Sequence, residues 1–127
     1  MATHLSTQNP GITNPLVFTQ VDTNVGNGYD SSTGIFTAPV TGTYSFNVQL
    51  CTIQDKGAVV GLFVNNIVKT KLTTSGDGYD GSRTLYYPAL LKQGDKVQAK
   101  MEPGSSSGSI FTQDTYRTQS FSGALLR

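Results

Sequence analysis

Hydrophobic positions in this chain fall in short runs broken by turn residues, with no stretch of helical spacing. Between Leu16 and Phe46 the runs LVFTQV, GIFTAPV and TYSF are rich in β-branched and aromatic residues. The intervals around them, NVGNGYDSST and VTG, are rich in Gly, Asn, Asp, Ser and Thr, which turn a chain. Period-two alternation is clearest in TYSFNVQL, where Tyr44, Phe46, Val48 and Leu50 share one face and Ser45, Asn47 and Gln49 the other.

The same reading extends along the chain. A short first strand is expected from His4 to Thr7, then a loop in which Pro10 and Pro15 forbid regular pairing. Leu16 to Val21 forms the next strand, and the central stretch runs on to Ile53. Gln54 to Gly57 reads as a hairpin turn into AVVGLFVNN, and Asn65-Asn66 turns into IVKTKLTT, whose Ile67 and Lys69 alternate less cleanly. Thr73 to Ser82 is expected to be a long polar loop before the strand RTLYYPALL. KQGD turns into KVQAKM, with Val97, Ala99 and Met101 inward and Lys96, Gln98 and Lys100 outward. EPGSSSGS is low in complexity, and QSFSGALL closes the chain, with Phe121, Gly123 and Leu125 alternating against Ser122, Ala124 and Leu126. About ten short strands with frequent turn signals and no helix predict an all-β sandwich or jelly roll.

RTLYYPALL is apolar on both parities: Leu85, Tyr87, Ala89 and Leu91 on one, Tyr86, Pro88 and Leu90 on the other. A strand apolar on both faces is covered on both, and Pro88 confines it to a sheet edge or bulge. An edge strand with a covered outer face predicts a subunit interface.

Length and charge narrow the function. The 127 residues form a single domain, 1–127. Charged residues are 13% of the chain, against about a quarter in ordinary domains, and the net charge is +1. A net charge this small predicts no basic stripe for nucleic acid and no polybasic membrane patch. No run is long enough to insert in a membrane, and MATHLSTQNP lacks the charged and apolar regions of a signal peptide, so the signal of a secreted form is expected to have been removed or never to have belonged to this stretch of sequence. There is no Asn-x-Ser/Thr sequon. The lone Cys51 cannot pair internally and reads as a small buried hydrophobe.

Asn24, Gly26, Tyr29, Asp30, Gly34, Phe36, Pro39, Gly42, Tyr44 and Phe46 stand in the order and spacing N-x-G-x-x-Y-D-x-x-T-G-x-F-x-x-P-x-x-G-x-Y-x-F. This stretch resembles the globular head domain of complement C1q and its relatives. Leu62-Phe63-Val64-Asn65, Leu91 with Gly94-Asp95-x-Val97, and Phe121-Ser122-Gly123-x-Leu125-Leu126 extend the resemblance over essentially the whole chain. It implies a ten-stranded jelly-roll β-sandwich, shared with tumour necrosis factor, that assembles as a homotrimer. Parity and family position together mark Tyr29, Phe36, Tyr44, Phe46 and Phe121 as core. The resemblance points the outer faces of TYSFNVQL, RTLYYPALL and FSGALL toward a three-fold axis, with apolar contacts from Tyr86, Leu90 and Leu126 and a wetter patch around Asn47. Two departures stand out: Gln98 replaces an aromatic usual in the family, and the chain has no collagen-like stalk. In this it is similar to stand-alone invertebrate heads, those of molluscs above all, which are regarded as soluble, secreted recognition lectins of innate immunity.

Few residues invite catalysis. A Cys-His or Ser-His-Asp set would depend on His4, placed in a frayed terminus, and the chain holds too few N/S ligands for zinc. No phosphate loop or local carboxylate pair occurs. The chain reads as no enzyme. Asp77 and Asp80, in a glycine-rich loop, are candidate calcium ligands, and the resemblance brings Asp80 near an aspartate with which some relatives hold calcium. No cofactor beyond this possible Ca2+ is expected. Tyr79 with Asp77, Asp80 and Arg83, and Tyr116 with Arg117 and Asp114, join a stacking aromatic to polar and cationic groups, as sugar recognition needs. Lys69 and Lys71 suit an anionic polysaccharide or lipopolysaccharide. Each set has a plainer reading as a solvated turn or strand face. The expected function is a soluble, trimeric pattern-recognition lectin for carbohydrate or microbial surfaces. Its rivals are a protein–protein assembly module and a calcium-handling matrix protein.

Overall fold

The computed structural model describes residues 2–5, 16–21, 28–52, 57–75, 81–103 and 119–126. Ten strands run through them: β1 (Ala2–Leu5), β2 (Phe18–Val21), β3 (Tyr29–Asp30), β4 (Ile35–Thr37), β5 (Gly42–Thr52), β6 (Gly57–Val64), β7 (Ile67–Ser75), β8 (Gly81–Leu91), β9 (Lys96–Met101) and β10 (Ser120–Leu126). They form two antiparallel five-stranded sheets, ordered β2-β1-β10-β5-β8 and β3-β4-β9-β6-β7. Strands far apart in sequence are neighbours in both sheets, as in a jelly roll.

Alternation puts one face of each sheet in the core. Tyr44, Phe46, Val48 and Leu50 of β5 are buried, as are Ala58, Val60, Leu62 and Val64 of β6 and Val97, Ala99 and Met101 of β9. Six rings link the sheets. Phe46 lies 5.4 Å from Phe36, 6.2 Å from Tyr44 and 5.9 Å from Phe121, and Phe121 lies 5.5 Å from Tyr29 and 5.9 Å from Phe18. The five aromatics expected in the core are there, Phe36 packed against it as a partly buried member. Buried Tyr29 keeps its hydroxyl satisfied by accepting a bond from the Phe18 N–H at 2.9 Å. Cys51 is buried and free of any disulfide.

Turns follow local chemistry. Asn65 and Asn66 sit at φ 50° and 67°, the left-handed geometry of a tight hairpin that Asn tolerates. Gly34, at φ 78°, has the Leu16 carbonyl where a Cβ would stand, 2.6 Å away. β8 is an edge strand, as Pro88 required.

Several boundaries differ from the sequence expectation. The first strand begins at Ala2, not His4, and is no frayed end, because β1 pairs with β10 on one side and β2 on the other. The long loop expected over Thr73 to Ser82 is shorter: Ser75 pairs with Gly57, and Gly81 with Thr52, so ladder bonds carry polar residues into both strands. The imperfect alternation after Asn66 is a β-bulge. Pairing steps from Leu62–Thr70 to Phe63–Val68 and passes over Lys69.

Candidate functional site

The outer face of the β2-β1-β10-β5-β8 sheet is graded from apolar to polar. Register sets three strands side by side in rows: Leu126, Thr43 and Leu90; Ala124, Ser45 and Pro88; Ser122, Asn47 and Tyr86; Ser120, Gln49 and Thr84. Leu90 is 81% exposed, Tyr86 57% and Leu126 47%. Side chains of this size seldom stand together in water without a partner. Toward the Gln49 row the face turns to hydroxyls and amides. The residues expected to make apolar contacts, Tyr86, Leu90 and Leu126, and the Asn47 patch thus lie on one face of the sheet.

The outer face of the second sheet has different chemistry. Gly61 of β6 pairs with Lys71 of β7 on one side and Lys100 of β9 on the other. A Cβ on Gly61 would meet Phe63 Cε1 at 2.8 Å, Glu102 Oε1 at 3.1 Å and Val68 Cγ2 at 3.2 Å, so Phe63 lies over the glycine. Lys100 Nζ stands 5.0 Å from the centre of the Phe63 ring, within cation–π range. Asn66 Oδ1 accepts from Lys100 Nζ and from Gln98 Nε2, each at 3.3 Å. Lys71 pairs with Glu102 at 3.6 Å. Gln98 is therefore an amide paired across the ladder with Phe63.

Asp95 ties two turns together. Its carboxylate accepts from the Lys92 N–H at 2.9 Å and the Asn65 side-chain amide at 3.1 Å, while Asn65 Oδ1 accepts from the Lys96 N–H at 2.9 Å. The Lys92 backbone bond, then the Asn65 amide, hold its pKa below the usual carboxylate value. Asp30 is lowered in the same way, by the Ser32 hydroxyl and N–H. Both carboxylates are structural.

Of the sequence-predicted site residues, Arg83 is described. It shares parity with the inward Leu85 and Tyr87 but lies near the start of β8 and is exposed. Asp77, Tyr79, Asp80, Asp114, Tyr116 and Arg117 lie outside the described residues, as does any calcium site built from Asp77 and Asp80. Among the described residues no three His, Cys, Asp or Glu side chains come together in a metal-binding group. Lys69 and Lys71 are exposed on β7. What the sequence did not reveal is that Lys100 and Gln98 join them, because β9 reaches β7 only through β6. The outward parity of KVQAKM was the available signal.

No helix among the described residues is long and apolar enough to cross a membrane. Comparison with known proteins finds the C1q domain across residues 1–126. The chain is 33% identical over 128 residues to Complement C1q tumor necrosis factor-related protein 3 of Mus musculus, covering 99% of this chain and 48% of that protein. It is 31% identical over 117 residues to Caprin-2 of Danio rerio, covering 88% of this chain and 12% of that one. The chain thus spans about half or less of the length of these relatives. Among solved structures, the globular domain of zebrafish complement 1qA superposes with a TM-score of 0.70 at 19% identity, over 99% of this chain and 94% of that one. That likeness is one of fold.

Proposed function

This chain belongs to the C1q domain family, and on that footing we propose that it is a secreted, non-catalytic recognition head that assembles as a homotrimer and binds carbohydrate or microbial surface ligands. C1q domains commonly form trimers. The observation that carries the reading is the β10-β5-β8 face, where exposed Leu90 and Leu126 share one row and exposed Tyr86 lies two rows along beside Asn47. Association around a three-fold axis would remove them from water, and it leaves the second sheet facing outward in three copies. Three linked sites raise the effective concentration of each, so a weak single contact becomes a firm hold on a repetitive surface.

Two loop clusters are candidate sugar contacts: Tyr79, Asp77, Asp80 and Arg83 in one, and Tyr116 with Arg117 in the other. Asp77 and Asp80 are also the residues that would hold Ca2+.

A glycan and microbial-polysaccharide array, probed with and without a chelator, tests the reading. Selective binding is expected, and a signal lost on Arg83→Ala or Arg117→Ala would assign the contact to those residues. Loss with chelator would bring Asp77 and Asp80 into it. A blank array from folded trimer contradicts the reading and leaves a protein–protein assembly module in its place.

A further inference from the structure

We propose that the outer surface of β9, β6 and β7 is a binding site for an acidic polysaccharide, a polymer of uronate or sulfated sugars laid across the sheet. The proposal rests on the recognition-head reading and adds to it a place and a ligand chemistry.

Lys71, Lys96 and Lys100 lie on this surface and Lys69 is exposed at the adjoining bulge of β7, together four of the nine basic residues of the chain. Two described acids border it, Glu102 at one end of β9 and Asp95, bonded to Asn65 of the β6–β7 turn, at the other. Four lysines against these two acids give the surface a formal charge of +2, while the whole chain carries +1. The remaining residues therefore sum to a net negative charge, and this face carries the positive excess of the chain. Lys71 and Lys100 flank Gly61 from the two neighbouring strands, so their backbones lie about 10 Å apart at ordinary strand spacing. Lysines rooted on strands that far apart suit charges repeated along a polymer better than one small anion.

The neutral groups favour a sugar chain. Gly61 leaves room for Phe63 to lie along the sheet, with Val68 at its edge. A ring laid flat has little to insert into a bilayer, and an anionic group that draws the Lys100 ammonium aside leaves the ring face to a pyranose. The Gln98 and Asn66 amides stand beside it, and the bonds from Gln98 and Lys100 to Asn66 Oδ1 hold them in place. Lys100, which gives one hydrogen to Asn66, has two more to offer a carboxylate or sulfate. The surface belongs to the sheet that faces away from the proposed three-fold axis, so all three copies remain open.

The test measures binding of polygalacturonate, heparin and neutral dextran to the full chain by biolayer interferometry, at low and physiological salt. The unmodified chain is expected to bind one or both acidic polymers, to ignore dextran, and to lose affinity as salt rises. The variant K69Q/K100Q should bind roughly tenfold more weakly, while K69R/K100R retains binding, at unchanged mass and melting temperature. Equal binding by K69Q/K100Q overturns the site. So does binding of dextran alone, or of anionic phosphatidylserine vesicles in preference to either polymer. Selective dextran binding that K69Q/K100Q leaves intact removes this site but keeps the recognition head, whereas silence toward every glycan removes both.

Discussion

Gly123 of β10 faces Phe46 of β5 across the ladder, and a Cβ on it would stand 2.8 Å from the ring at Cε1 and 3.0 Å at Cδ1. Phe46 is fully buried and contacts three other rings, so it has nowhere to retreat. The absent side chain at Gly123 is thus what lets the two strands close over the aromatic core. Gly123→Val is expected to destabilise the fold by about 1–3 kcal/mol through overpacking. Chemical denaturation checks this, and an unchanged midpoint would show that Phe46 has more freedom than its packing indicates.

Tyr29 makes stability fall at high pH. Burial pushes its hydroxyl from 10 up to about 12, against the smaller effect of the bond from the Phe18 N–H. The folded form then holds the proton where the unfolded form has released it. The contribution is whole below pH 10 and is lost as pH rises toward 12. Tyr29→Phe should flatten that alkaline decline. At neutral pH it should cost about 1–3 kcal/mol, because the Phe18 N–H loses its acceptor. Melting curves from pH 8 to 12 for both proteins decide the matter, and parallel declines would exclude Tyr29 as the cause.

Asp95 acts at the other end of the scale. Its depressed pKa means that the carboxylate stabilises the fold above its ordinary value of 3.8 and ceases to do so as pH falls through the lower folded value. Asp95→Ala is expected to lower the melting temperature at neutral pH and to narrow its gap from the unmodified protein in acid. Amide exchange at Lys92 should quicken, since its N–H loses the Asp95 acceptor. Unchanged exchange there would contradict the clasp.

Much of this architecture was legible in the sequence because burial is periodic. KVQAKM alternates polar and apolar, and its Val97, Ala99 and Met101 are buried as that alternation requires. Asn65-Asn66 announces a tight turn, and Pro88 an edge strand, through their own backbone chemistry. Where pairing rather than pattern makes the strand, local reading fell short. Ala2 is held by Phe121 and Val21, and Ser75 by Gly57, partners far away in the chain. Surfaces assembled across strands were hidden for the same reason. Phe63 and Lys100 are 37 positions apart, and the pairing of β6 with β9 brings them into contact. Lys69 and Lys71 were visible as a pair, but the lysines facing them across β6 were not.

Trimeric assembly is the claim on which recognition by many weak contacts depends, and the molar mass in solution tests it most directly. Light scattering on the purified chain at micromolar concentration should give three times the 13.5 kDa of one copy. L90E/L126E, which places charges in the exposed apolar row, should reduce that mass to a single copy while keeping a cooperative melt. A mass of 13.5 kDa for the unmodified chain would contradict the account.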